Sequence, residues 1–245
     1  MVFNKNYSDI YNKIYKKKEY LKEAEYVSAI LKMNKMVKGD ILELGSGTGN
    51  HAKYLLKEKY NITGVEKSLS MITFAKKIRK LKCVLGDVRT VRLNKKFNAV
   101  ISLFHVINYM LSSLDLNNFF KTANIHLNNN GLLIFDTWHD RSIKIKNLSD
   151  HKVFKINNYV ITRKSNSTIV KNKIIDIRFK FIITLNKKII NTFSEKHLIR
   201  YFSFKEIMFS AKKNGFQLIS RLGMLKFSNP LKNDKNICFV FKKLN

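Results

Sequence analysis

The amino-acid sequence predicts an α/β fold in which a mostly parallel sheet carries helices on both faces. Strand and helix patterns alternate through the first half of the chain, and a glycine cluster at 45–49 interrupts the pattern where the first strand ends. A chain of 245 residues with 45% hydrophobic residues can also bury one large apolar core without disulfides. Strands that alternate with helices form parallel sheets that are covered on both sides.

The alternation begins with a helix predicted over residues 20–36, in which Leu21, Ala24, Val27, Ile30 and Leu31 form one apolar stripe. Ser68 is a candidate N-cap for a helix that carries Met71, Ile72 and Ala75. The Asn-rich segment 128–131 is predicted to be a turn that closes a helix. The other predicted elements are strands at 40–44, 61–65, 81–85, 99–104 and 132–136 and helices at 50–59 and 116–127.

Residues 153–201 have a different composition, because β-branched and aromatic residues dominate between polar turns. This segment predicts an inserted antiparallel sheet with strands at 159–162, 174–185 and 188–193 and turns at 165–166 and 186–187. Ser203 and Glu206 then form a predicted capping box for a helix that ends at Gly215. Two closing strands follow at 216–220 and 237–241. We therefore expect a single domain over 1–245 with an inserted sheet at 141–201, which forms either a substrate lid or a dimer contact.

The net charge of +30 suggests a polyanionic partner when it is considered alone. However, the lysines are scattered among Asn and Ile, and their longest block is Lys16–Lys18. This pattern is typical of a genome that favours Lys, Asn and Ile codons, with the lysines on the solvent-exposed surface. No run of about 18 apolar residues predicts a membrane span. The N-terminus lacks the apolar stretch of a signal peptide, and two cysteines form no disulfide framework, so we expect a cytoplasmic protein.

The segment 43–49 contains three glycines at alternate positions between a predicted strand and a predicted helix. Backbone N–H groups and a helix N-terminus approach a ligand closely at such a junction, and glycine leaves room for it. One interpretation is a dinucleotide fingerprint, because residues 47–52 fit G-x-G-x-x-A and Glu66 lies at about the right distance to bind a ribose. Pattern matching alone does not decide which cofactor is bound.

The run 41–49, with Glu66 at the end of the second strand and Gly86-Asp87 at the end of the third, resembles motifs I to III of class I S-adenosylmethionine-dependent methyltransferases. The resemblance implies a seven-stranded Rossmann-like sheet that a reversed hairpin closes. It also implies that the glycines pack on the methionine part of the cofactor, Glu66 binds the ribose hydroxyls and Asp87 binds the adenine amino group. The cofactor-binding candidates are Glu43, Gly45, Ser46, Gly47, Gly49, Glu66, Lys67, Met71, Asp87, Val88 and Leu103.

Segments 11–20, 102–109, 135–138 and 197–202 resemble the branch of sugar N-methyltransferases that methylate amino groups on nucleotide-linked deoxysugars. In that branch an N-terminal tyrosine and the residue matching Tyr109 approach the amine. Some members carry His at the latter position, and His105 can compensate here. The catalytic candidates are His105, Tyr109 and Tyr15. The substrate-binding candidates are Tyr20, Trp138, His139, His197 and Arg200, because Trp138 can stack on a sugar or base and Arg200 can pair with a phosphate. The expected acceptor is an amino or hydroxyl group of a small molecule.

Two alternatives stay open at this point. An RNA or DNA methyltransferase is favoured by the charge, although the segment 104–109 lacks the Asn/Asp-Pro-Pro-aromatic motif of enzymes that methylate exocyclic base amines. A non-catalytic cofactor-binding subunit is disfavoured by the intact glycines, Glu66 and Asp87. No Cys and His cluster has zinc spacing, so no metal is expected. The sequence permits a monomer or a homodimer.

Overall fold

The computed structural model describes residues 3–143, 148–171 and 173–245, and the chain divides into two compact units. The small unit consists of Met1–Lys18 and Lys144–Arg200, and the large unit consists of Glu19–Ile143 and Tyr201–Asn245. The expectation of a single domain over the whole chain stays a prediction. No helix among the described residues is long and apolar enough to cross a membrane.

The described elements follow one another in the order that the alternating pattern predicts, with additional elements in the small unit. The strands are β1 (Gly39–Leu44), β2 (Tyr60–Glu66), β3 (Lys82–Leu85), β4 (Phe97–Ser102), β5 (Leu127–Trp138), β6 (Leu148–Ile156), β7 (Tyr159–Lys171), β8 (Ile174–Leu185), β9 (Lys188–Arg200), β10 (Phe216–Gly223) and β11 (Asn236–Lys243). The helices are α1 (Lys5–Ile14), α2 (Tyr20–Met33), α3 (Asn50–Lys57), α4 (Leu69–Ala75), α5 (Ser113–His126) and α6 (Phe204–Lys213).

The large unit contains a seven-stranded sheet with the order β10-β11-β5-β4-β1-β2-β3. Strands β1 to β5 pair in parallel, whereas β11 runs antiparallel to both of its neighbours. The predicted seven-stranded sheet with a reversed closing hairpin is therefore confirmed. In such a sheet the carboxyl ends of the parallel strands share one edge, where open α/β folds bind their ligands.

Helices cover both faces of this sheet, as predicted. On β4, Val100 belongs to an apolar cluster with α5 and α6, whereas its neighbours Ala99 and Ile101 belong to a second cluster with α2 and α3. The alternation follows from the two-residue period of a strand, which sends successive side chains to opposite faces. Phe135 of β5 is fully buried in the first cluster.

Local caps in the large unit agree with the sequence. The Ser68 side chain accepts a hydrogen bond from the Met71 N–H and caps α4, and Ser203 and Glu206 form the capping box of α6. The predicted turn at 128–131 is wrong, because this segment belongs to β5, and the register of β5 against β4 shifts here between the pairs Phe97–Leu127 and Ala99–Leu132. Leu21 is also misplaced in the predicted stripe, since its side chain is exposed.

The small unit contains α1 and a four-stranded antiparallel sheet with the order β6-β7-β8-β9, which confirms the inserted sheet. The hairpin at Asn186–Lys187 is confirmed, and both residues have positive φ. The turn predicted at 165–166 is wrong, because β7 continues through it and Ser165 pairs with Phe179 of β8. The sequence reasoning also missed β6 and α1.

Candidate active site

The glycine loop joins β1 to α3 at the carboxyl edge of the large sheet. Gly45, Gly47 and Gly49 have φ of 78°, 54° and 79°, which is the left-handed region that glycine adopts without strain. A Cβ at Gly45 would lie 2.6 Å from Val106, and one at Gly49 would lie 2.7 Å from Ile78. A Cβ at Gly47 would meet no atom of the described residues within 4 Å, its two chain neighbours aside. The loop is therefore packed on both sides of Gly47 and open at Gly47 itself.

Glu66 ends β2 directly beside this loop and is buried. The Gly47 N–H donates to its Oε2 at 2.9 Å, and the Ser68 N–H donates to its Oε1 at 2.8 Å. Burial raises the pKa of this carboxyl, while the backbone N–H groups oppose that rise. Each carboxylate oxygen accepts more than one hydrogen bond, so the fixed carboxylate can still receive two hydroxyl groups of a ligand.

Glu43 lies in β1 immediately before the loop and is fully buried. Its Oε2 has no hydrogen-bond partner among the described residues. Burial and the nearby charge of Glu66 raise the pKa of Glu43 to about 8. A buried carboxyl oxygen without a donor is costly, and a cationic or N–H-bearing ligand would satisfy it.

Asp87 follows β3 and forms a bidentate ion pair with Arg89. Arg89 Nε donates to Oδ1 at 2.9 Å and Nη2 donates to Oδ2 at 2.6 Å, while Lys67 Nζ lies 2.9 Å from Oδ2. Arg89 Nη1 also reaches Asp115 Oδ1 at 2.8 Å. These cations hold the pKa of Asp87 well below its usual range. The sequence reasoning missed Arg89, although its spacing of two residues from Asp87 was a visible signal.

The segment after β4 carries two consecutive non-glycine residues in the left-handed region, Phe104 and His105, with φ of 65° and 62°. Such conformations are strained, and they cluster at functional sites. The buried Asp136 of β5 supports this turn, because the His105 N–H donates to its Oδ1 at 2.9 Å. His105 Nε2 lies 3.3 Å from Asp136 Oδ2. The sequence reasoning did not identify Asp136.

Asn108 fixes the same segment to the end of β5. Its buried Oδ1 accepts hydrogen bonds from Thr137 Oγ1 at 3.2 Å and from the Trp138 N–H at 3.3 Å. The Trp138 ring lies edge-on to the imidazole of His105, with a centroid distance of 6.2 Å. His105 and Trp138 are therefore brought together at the carboxyl edge, and the partly buried Tyr109 packs against the first apolar cluster.

The other candidates of the large unit are mostly enclosed. His139 is buried, accepts a hydrogen bond at Nε2 from Arg221 Nη2 at 3.0 Å and contacts the Asp234 carbonyl through Nδ1, also at 3.0 Å. Tyr20 opens α2, and its ring lies 5.0 Å from that of His51. Ser46, Met71, Val88 and Leu103 are buried, whereas the Lys67 side chain is exposed.

Three candidates belong to the small unit. Tyr15 caps α1 at its C-terminus, and its hydroxyl lies 3.2 Å from that of Tyr7. His197 is buried against the rings of Phe3 and Phe179, both at 5.3 Å, and burial lowers its pKa to about 4. Arg200 is the last residue of β9. Within the described residues, no group of His, Cys, Asp and Glu is arranged to hold a metal ion.

Comparisons with known proteins agree with this geometry. A family model described as a methyltransferase domain matches residues 41–131, which contain the glycine loop, Glu66 and Asp87. The dTDP-3-amino-3,4,6-trideoxy-alpha-D-glucopyranose N,N-dimethyltransferase of Streptomyces venezuelae is 24% identical over 204 residues, which cover 82% of this chain and 86% of that protein. An uncharacterized protein of Methanocaldococcus jannaschii is 29% identical over 238 residues, covering 95% and 80%.

Solved structures show the same fold. The S-adenosylmethionine-dependent methyltransferase of Clostridium acetobutylicum superposes with a TM-score of 0.84 at 20% identity and covers 98% of each chain. The sugar N-methyltransferase KedS8 of a Streptoalloteichus species superposes with a TM-score of 0.83 at 19% identity, covering 94% of this chain and 90% of that one.

Proposed function

Because this chain is an S-adenosylmethionine-dependent methyltransferase, we propose that it transfers the methyl group to an amino group of a nucleotide-linked sugar. The similarity to the Streptomyces venezuelae amino-sugar dimethyltransferase over 82% of the chain carries this proposal. A second dTDP-amino-sugar N,N-dimethyltransferase, from Streptomyces fradiae, is 26% identical over half of the chain. The names of both relatives specify an amino sugar as the substrate, which supports the same class of acceptor for this chain.

The residues at the glycine loop suit this cofactor. The open side of Gly47 leaves room for a ligand, Glu43 offers a buried acceptor for an ammonium group, and Glu66 presents a fixed carboxylate for two ribose hydroxyls. The bound cofactor supplies a methyl group that its sulfonium has already activated. Asp87 and the Val88 N–H remain the proposed contacts for adenine, and the remaining cofactor-binding candidates stay predictions.

An uncharged amine is already a good nucleophile, so this chain's residues mainly have to orient it and exclude water. A base is needed when the acceptor arrives protonated. We assign that role to His105, because Asp136 holds its backbone and lies within ion-pair distance of its ring. Trp138 beside it offers an apolar face for the sugar. Tyr15, Tyr20, His139, His197 and Arg200 stay predicted acceptor contacts.

The acceptor class is tested by methyl incorporation from labelled S-adenosylmethionine. Nucleotide-linked amino sugars and bulk RNA are offered in parallel, at low and at moderate salt. We expect label in the sugar at both salt concentrations, because a small-molecule pocket does not depend on counterion release. Labelled RNA together with unlabelled sugars would overturn the proposal.

One observation favours the alternative of a nucleic-acid substrate. On the exposed face of the small sheet, Lys164 is paired directly opposite Lys180, and Arg178 is paired directly opposite Lys196. Like charges at directly opposed positions destabilise a sheet, and a bound polyanion would relieve the repulsion. Asp176 already offsets part of it through ion pairs with Arg178 and Lys196, so the amino sugar remains our proposal.

We propose the cytoplasm as the compartment. Cys83 and Cys238 are both free thiols, which suits a reducing environment.

Replacing Tyr109 with phenylalanine is expected to lower turnover about tenfold, which corresponds to one lost hydrogen bond to the reacting group. The dissociation constant for S-adenosylmethionine should stay within a factor of about two, because the hydroxyl is proposed to act on the acceptor. Steady-state kinetics and calorimetry on the same preparation measure the two effects. A changed cofactor affinity with unchanged turnover would contradict this role.

Replacing Asp87 with alanine is expected to weaken cofactor binding by about tenfold or less, since one adenine hydrogen bond contributes about 0.5 to 1.5 kcal/mol net. Arg89 would keep its ion pair with Asp115 and so would stay in place. Calorimetry checks the value, with Asp40→Ala at the opposite end of the sheet as the matched control. A loss above about a hundredfold would show a larger role than one contact.

A further inference from the structure

Three titratable side chains form a line beneath the glycine loop. His51 in the first turn of α3 lies between Glu23 of α2 and Glu43 of β1. Its Nε2 is 2.6 Å from Glu23 Oε2, and its Nδ1 is 3.7 Å from Glu43 Oε1. The side chains of His51 and Glu43 are only 6% and 1% exposed, while that of Glu23 is 14% exposed. The line therefore runs from the buried loop toward the surface.

The contact with Glu23 determines how the imidazole is oriented. When Glu23 is ionised its carboxylate only accepts hydrogen bonds, and in that state Nε2 carries the proton of the contact with Glu23. In the neutral imidazole the other nitrogen, Nδ1, then carries a lone pair, and it faces Glu43. His51 is thus placed to receive a proton from the Glu43 side and to share the resulting charge with Glu23.

Glu43 needs such an acceptor when a cation binds beside it. Among the described residues, the titratable groups that interact with Glu43 are Glu66 from β2, Cys83 from β3 and His51 from α3. Glu66 is acidic and Cys83 is a neutral thiol whose pKa burial raises, so neither offers a positive charge. The raised pKa of Glu43 keeps it protonated near pH 7 in the free protein, and pairing with an ammonium group requires that it lose this proton.

We propose that His51 takes up the proton that Glu43 releases when the ammonium group of S-adenosylmethionine binds, and that Glu23 stabilises the resulting imidazolium. The O–H bond of Glu43 breaks, an Nδ1–H bond forms on His51, and no proton leaves the protein. The two side chains have to approach by about 0.5 to 1 Å to form the hydrogen bond that carries the proton. This inference rests on the proposed place of Glu43 in the cofactor site.

The experiment measures how many protons the protein releases to the buffer when S-adenosylmethionine binds. The binding enthalpy of S-adenosylmethionine is measured at pH 7 in buffers of different ionisation enthalpy, and its slope gives the number of protons released. We expect fewer than about 0.2 protons from the wild type and about 0.5 or more from His51→Gln, because the variant has no internal acceptor. Glu23→Gln should shift the count in the same direction, and Glu25→Gln, an exposed neighbour on α2, should match the wild type.

The outcomes separate this inference from the proposed function. Absence of S-adenosylmethionine binding in the folded wild type would contradict the cofactor site itself. Normal binding with the same proton count in the wild type, His51→Gln and Glu23→Gln would overturn the role of His51 alone. If His51→Gln does not fold, the comparison of Glu23→Gln with the wild type tests the role of His51. The Glu23 side chain lies nearer the surface, and the number of protons released by the wild type provides the reference.

Discussion

Alanine at Glu66 is expected to weaken S-adenosylmethionine binding by at least about a hundredfold. Hydrogen bonds to a charged group contribute about 1.5 to 3 kcal/mol each, and the substitution removes two proposed ribose contacts together. It also removes the acceptor of the Gly47 and Ser68 N–H groups, which fixes the glycine loop against β2. Both losses act on the same ligand, so we expect the largest binding defect of any single carboxylate here.

Titration calorimetry measures this effect, and a thermal melt without ligand reports any loss of folding. Glu66→Gln retains the volume and one carbonyl acceptor, so its affinity should lie between those of the wild type and Glu66→Ala. Glu58→Ala at the end of α3 is the matched surface control and should bind normally. Undiminished affinity in a folded Glu66→Ala variant, or tight NAD binding by the wild type, would contradict the assignment of S-adenosylmethionine as the cofactor.

Signals confined to a few neighbouring residues were readable from the sequence. The alternating glycines require a left-handed backbone that other residues rarely adopt, and the loop shows this at Gly45, Gly47 and Gly49. Ser68 and Ser203 cap their helices with side chains that reach only three residues ahead. Such local rules hold whatever the rest of the chain does, which is why these parts of the fold were predicted.

Elements that depend on distant partners were missed. Ser165 and Asn166 look like turn residues, but strands β6 and β8 pair with them on both sides and supply the backbone hydrogen bonds of a continuous strand. Helix α1 has an apolar face that includes Tyr7 and Tyr11, and it packs within the small unit on residues almost two hundred positions away, such as His197. The periodicity of ten consecutive residues does not show which distant residues a helix or strand will contact.

The candidate site divides in the same way. Glu66 and Asp87 were anticipated because the family resemblance assigns roles to the acids at these strand ends, whereas Asp136 was recognised only from its contact with His105. That contact joins residues 31 positions apart, because His105 follows the end of β4 and Asp136 lies on the adjacent strand β5. Strand order can be anticipated from a family resemblance, but the direction of one carboxylate toward one imidazole depends on backbone detail that the pattern does not contain.

A side chain added at Gly47 should block ligand binding without unfolding the protein, because the space beside this residue is open. Asparagine tolerates the left-handed region better than other non-glycine residues, so Gly47→Asn should cost about 1 kcal/mol of stability or less. A Cβ at this position meets no atom within 4 Å in the part of the chain that the structure describes, its two neighbours aside, and the backbone N–H that donates to Glu66 is retained. The new side chain would instead occupy the space that we assign to the cofactor.

We therefore expect Gly47→Asn to melt within a few degrees of the wild type and to bind S-adenosylmethionine at least about a hundredfold more weakly. Gly215→Asn is the matched control, because Gly215 has φ of 73° after the end of α6 and a Cβ there would come no closer than 3.4 Å to Asn124. Its stability should change by a similar amount while its affinity stays normal. If both variants bind alike, the space beside Gly47 does not hold the cofactor, and the glycines would serve only to turn the chain between β1 and α3.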